Sequence, residues 1–105
     1  MAKFINLTPH TINEITTGAA IEPSGSLARV ATESVEAGRT YNNIALYRTT
    51  YGEVEGLPEA VDGTVYIVSG MVLAAISDRQ DVVAPGELVR DADGKPVGCK
   101  GFKVN

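Results

Sequence analysis

"TVYIVSGMVLAAISD", residues 64–78, decides how the chain is read as a fold. Its first six residues, 64–69, form a nearly continuous apolar run, the pattern of a strand buried on both faces. From Ser69 the composition changes to good helix formers. Ser69 is placed as an N-cap, and the spacing of Met71, Leu73, Ala74 and Ile76 turns one side of a short helix over 69–78 toward a sheet.

Working outward, the dominant hydrophobic period is two. "KFINL" (3–7) and "TINEIT" (11–16) are short β-like runs separated by Thr8-Pro9-His10, where proline fixes its own φ and makes Thr8 extended. A turn at "TTGAA" (16–20) leads into a returning strand at "AAIE" (19–22), and "PSGS" (23–26) is a second turn. "LARVATESVE" (27–36) alternates as a strand. "IALYRTTYGEV" (44–54) is rich in β-branched and aromatic residues, with an irregularity expected near Gly52. Residues 55–63 and 78–87 read as loops. "ELVRDADGKPVGCKGFKV" (87–104) reads as a hairpin with Asp91–Gly94 at its tip and Pro96 at an edge or bulge. The expected fold is α+β: one β-rich domain over 1–105, of short antiparallel strands and hairpins with one short helix after a buried strand.

Bulk properties narrow the chemistry. With 105 residues, 44% apolar and 21% charged, the chain suits one soluble domain. A core this small is marginal alone, so self-association is an expected support. The net charge of −4 and scattered basic residues argue against a nucleic-acid duplex as partner. One cysteine, Cys99, and one histidine leave no internal disulfide and no Cys/His metal set. No signal-like segment opens the chain and no run is long enough to span a membrane, so a cytoplasmic location is expected.

Nine residues are candidates for ligand binding. His10, beside Thr8, sits at a proline-imposed corner, and no nucleophile elbow or Cys-His signature gives it a catalytic partner. Ser69-Gly70 opens the helix, where free N–H groups attract anions. "YRTTY" (47–51) offers Arg48, Thr50 and Tyr51, although in a strand Tyr47, Thr49 and Tyr51 share one face and Arg48 and Thr50 the other. Arg29 and Arg79 suit planar recognition of phosphate or carboxylate, and an internal ion pair is the competing role for Arg79. The carboxylate pairs Glu53/Glu55 and Asp91/Asp93 do not form an acid/base or metal pattern.

"INLTPHTI", "PSGSLARV", "RTTYGEVEGLPE", "GTVYIVSGMVLAA" and "DRQDVVAPGELVRDADGKPVGC" together resemble a family of small bacteriophage, prophage and bacterial proteins of about this length. The resemblance covers nearly the whole chain and brings no established activity. It implies an accessory protein acting inside a bacterial host. Two non-enzymatic functions are expected from it. One is an anti-defence protein that sequesters a nucleotide-type signalling molecule. The other is an interaction or structural module that blocks a host protein or joins a phage assembly. A small hydrolase using His10 with Glu53 or Asp81 has the least support. No cofactor is expected.

Overall fold

The computed structural model describes residues 3–76 and 78–105. Ser77, within the stretch read as helical, lies outside them. The elements are β1 (Lys3–Asn6), β2 (Ile12–Glu14), β3 (Ala19–Ile21), β4 (Arg29–Tyr41), β5 (Ile44–Glu55), β6 (Thr64–Ile67), α1 (Gly70–Ala74), β7 (Val82–Arg90) and β8 (Pro96–Lys103). Strand accounts for 56% and helix for 5%, so the domain is β-rich and its helical part is a single short piece.

Six strands make one sheet in the order β1-β6-β7-β8-β2-β3. The expectation of antiparallel hairpins holds for β2–β3 and β7–β8, whereas β1–β6, β6–β7 and β2–β8 run parallel. Parallel neighbours need a crossover, and β6-α1-β7 supplies one. The two sheet edges then meet. Asn6 at the end of β1 bridges Pro23 just beyond β3, and Ser24 N–H donates to the Asn6 carbonyl at 2.9 Å. Phe4 of β1 reaches Phe102 of β8, with ring centroids 5.3 Å apart. The sheet thus rolls into a small barrel.

The core lies where α1 covers this barrel. Tyr66, Val68, Val82 and Ala84 from β6, β7 and the residue after β6 meet Val72, Leu73 and Ile76, with Leu7 beside them. Successive side chains alternate across a strand, so burial of Tyr66, Ile67 and Val68 together confirms a strand covered on both faces. Three local readings change. The helix spans only five residues, and Val72 takes the packed side in place of Met71 and Ala74, both of which are exposed. Instead of a following loop, Val82–Gly86 begin β7, and Val82, Val83 and Ala84 are buried because their apolar side chains continue the core. Asn105 explains how so short a helix ends: its Nδ2 donates to the carbonyls of Leu73 and Ile76.

β4 and β5 form a separate two-stranded ribbon of 13 and 12 residues. Its turn, Asn42-Asn43, has φ of 50° and 66° at both central residues, the left-handed pair of a tight type I′ hairpin. Its base meets the barrel, where the paired Val30 and Val54 pack on the core. A register shift near Gly52 separates this base from the outer ribbon, as the sequence suggested. At about 3.3 Å per residue the ribbon reaches about 40 Å. The radius of gyration is accordingly 16.4 Å, against about 13 Å for a compact chain of this size.

Candidate functional site

The NLTPH corner is organised by Asn6. Its side chain is buried, and Oδ1 accepts from the Thr8 N–H at 2.9 Å and the Thr8 hydroxyl at 2.6 Å. Nδ2 donates to the carbonyls of His10 at 2.7 Å and Ile21 at 2.9 Å. Both donors and both acceptor sites of the amide are used. The Asn6 carbonyl also accepts from the Ser24 hydroxyl at 2.8 Å, so one residue ties the corner to the "PSGS" turn. Thr8 is consequently committed inside the protein. His10 enters this network through its carbonyl alone, and its imidazole is left exposed at the rim of a groove.

The other candidates are spread over the chain. Ser69 is the N-cap as read: its hydroxyl accepts from Val72 N–H at 3.3 Å. Gly70 begins the helix with the Lys103 amine beside it. Arg79 makes the internal pair foreseen as its competing role, with Nε and Nη2 each 2.7 Å from an oxygen of Asp81. Nη2 also donates to the Pro58 carbonyl at 3.1 Å, which pins the loop before β6. The hydrogen-bonded guanidinium holds the Asp81 carboxyl below its ordinary range, and the carboxylate raises Arg79 in turn.

Arg29 lies at the ribbon base, opposite Glu55 and in a hollow shared with Glu53 and Glu55. Those carboxylates repel an anionic ligand. Arg48, Thr50 and Tyr51 lie on the outer ribbon. From Thr32 to Glu36 the register is regular and pairs Tyr51 with Thr32, Thr49 with Ser34 and Tyr47 with Glu36, before a second shift between Glu36 and Thr40. Tyr51 therefore does keep to the face opposite Arg48 and Thr50. The nine residues fall in five places: the corner, the ribbon base, the outer ribbon, the helix start and the Arg79–Asp81 loop. Among the described residues, no group of three or more His, Cys, Asp or Glu side chains is placed to hold a metal ion.

Glu14 was not singled out from sequence, yet it is the most heavily hydrogen-bonded carboxylate among the described residues. It accepts from Gly101 N–H at 2.8 Å, from the hydroxyls and N–H groups of Thr16 and Thr17, and its pKa is strongly lowered by these bonds, Gly101 first. Its legible signal is the acceptor placed two and three residues before "TT", in front of a glycine turn. The role is structural: it fastens the β2–β3 turn to β8.

Two surface features have no internal structural use. The first is the outer ribbon, where Tyr41 and Ile44 are directly opposed beside the turn, each 66% exposed, followed by Tyr47 and Tyr51. Among the described residues β4 and β5 pair only with each other, leaving both outer backbone edges open. The second is an open groove of about 490 Å³ between β2, β7 and β8, lined chiefly by Ile12, Pro85, Leu88, Val97 and Cys99, with His10 at one side. Among the described residues, no helix is long and apolar enough to cross a membrane. In comparisons with family models, curated proteins and solved structures, the chain matches none.

Proposed function

We propose that this chain is a non-catalytic interaction module whose β4–β5 ribbon grips a protein partner, in keeping with a phage-related structural or assembly role. The observation that carries the reading is the ribbon itself. A two-stranded hairpin is marginal in water unless something packs on it. Fixing each residue costs about 1–2 kcal/mol in backbone entropy, and outside Val30 and Val54 the ribbon returns little of that through burial. Tyrosines with open edges are the surface a protein partner covers. Sequestration of a nucleotide-type signal has weaker geometric support, since the arginines, His10 and Ser69 stand in different parts of one copy.

The test is the native size of a tagged chain in extracts of a phage-infected bacterial host. The parent chain is expected in an assembly well above 11.0 kDa, and Tyr41→Ser/Ile44→Ser is expected to leave it. Equal migration of the two, with a nucleotide stabilising both in thermal shift, would overturn the reading in favour of sequestration.

A further inference from the structure

We infer that the protein gripped by the ribbon presents an acidic face, whose carboxylates are taken by Arg39 and Arg48 beside the apolar tip. This rests on the interaction-module reading and names the chemistry of the partner's surface. The chain has five arginines, and three are used within it. Arg79 pairs with Asp81, Arg90 donates to the Gly94 carbonyl at 2.8 Å, and Arg29 shares its hollow with Glu53 and Glu55. Among the described residues, the one ion pair is Arg79–Asp81, and neither Arg39 nor Arg48 makes an internal hydrogen bond.

The fold brings these two side chains together. The register shift between Glu36 and Thr40 sets Ala37, Gly38 and Arg39 against Leu46 alone, with Gly38 at a φ of 80°. Bulges re-aim side chains, and Arg39 and Arg48 line one hollow with Ala37 and Leu46. Along β5, Ile44, Leu46 and Arg48 share a face by alternation, and Tyr41 opposes Ile44. The apolar tip therefore runs directly into two guanidinium groups. The acids nearest in the register, Glu33 and Glu36, lie on the barrel side of the bulge, opposite Thr50 and Tyr47.

Charge selects the occupant. A guanidinium carries a rigid fork of donors that matches a carboxylate or a phosphate. Residues 37–51 hold these two cations and no acid, whereas the rest of the chain holds seven basic and thirteen acidic residues. The arm is the cationic end of an acidic molecule, which orients that end toward negative surfaces. Nucleic-acid binders of substantial affinity neutralise on the order of 6–10 phosphates, and two arginines on an acidic chain fall short of that. Ile44 and Leu46 need an apolar neighbour beside the anion, which a protein surface supplies and a phosphate backbone does not.

The experiment is fluorescence anisotropy of the purified chain with a labelled peptide, Glu-Glu-Val-Val repeated three times. Extended, this repeat alternates carboxylate and apolar side chains on each of its faces. The same peptide with lysine in place of glutamate, and an oligothymidylate of equal length, are the competing probes. The parent is expected to bind the acidic peptide at least about tenfold more tightly than either. Arg39→Gln/Arg48→Gln is expected to lose about tenfold. Lys95→Gln/Lys100→Gln removes the same charge from exposed positions outside the ribbon and is expected to bind like the parent. No binding of the acidic peptide up to about 1 mM, tighter binding of the oligothymidylate, or equal losses in the two variants overturns the inference. All four substituted side chains are exposed, so both variants keep the fold, which thermal unfolding checks. An arginine variant that joins the assembly in host extract as the parent does also overturns it and leaves the interaction-module reading standing, whereas a parent found in no assembly there overturns that reading.

Discussion

Asn6→Ala is the sharpest test of how the barrel is closed. The substitution removes four hydrogen bonds, two accepted from Thr8 and two donated to the carbonyls of His10 and Ile21. Asn6 is 1% exposed and Thr8 7% exposed, so water does not readily replace them. An unpaired buried polar group costs about 1–3 kcal/mol. The Thr8 N–H and hydroxyl lose their shared acceptor, and the hydroxyl keeps only the His10 carbonyl at 3.1 Å. With the two carbonyls less deeply placed, the loss amounts to about 3 kcal/mol, a large share of a stability of about 5–15 kcal/mol. Urea unfolding followed by circular dichroism measures it, and the midpoint temperature is expected to fall by about 12–24 °C. Asn6→Asp keeps the shape and the acceptor but turns an oxygen toward two carbonyls, so it is expected to be at least as damaging near neutral pH. A loss below about 1 kcal/mol in both variants would refute the four-bond account.

Further expectations concern the same body. Glu14 is held below its ordinary pKa of 4.5 in the folded state, so the unfolded chain binds the proton first. Its stabilisation is complete above that value and is lost as pH falls below it; Glu14→Gln should lower stability at neutral pH and flatten its acid dependence in unfolding titrations. A Cβ on Gly98 would lie 2.5 Å from the Asn13 carbonyl and 2.8 Å from Ile15 Cγ2, so Gly98→Ala should cost about 1–3 kcal/mol in urea unfolding by forcing β8 away from β2. Arg79→Ala should cost about 1 kcal/mol through its lost bonds to Asp81 and the Pro58 carbonyl, visible as a thermal shift that no nucleotide restores.

The sequence was most legible where one pattern dominated. The apolar run before Ser69 identified the central strand, its N-cap and the helix start, because burial on both faces leaves no polar alternation to confuse. The tip Asp91–Gly94 was readable from turn chemistry, and the bulge near Gly52 from an interrupted strand. Parallel pairing was not readable, since it depends on which distant strands meet and short strands carry no local mark of direction. The length of the ribbon was hidden for a related reason. Asn42-Asn43 turns with both residues left-handed, yet the flanking 37–43 segment is polar because neither ribbon face packs on the barrel.

Two of the candidate side chains are already engaged within the chain. Thr8 and Arg79 carry groups suited to ligands, but Asn6 and Asp81 already occupy them. Those partners lie two residues away in each case, close enough to be considered from sequence. Tyr51 and its neighbours were noticed for their chemistry, whereas their exposure on an arm required the fold.

The most direct test of the ribbon as an interaction device is to remove it. Thr32 and Tyr51 are directly paired, so replacing residues 33–50 by Asn-Gly joins them through a two-residue hairpin turn and keeps Val30 and Val54 on the core. Thermal unfolding and native size in host extract are then measured on one protein. The account predicts a midpoint close to that of the parent and complete loss of the assembly. An assembly that survives the deletion, or a barrel that unfolds without the outer ribbon, would contradict it.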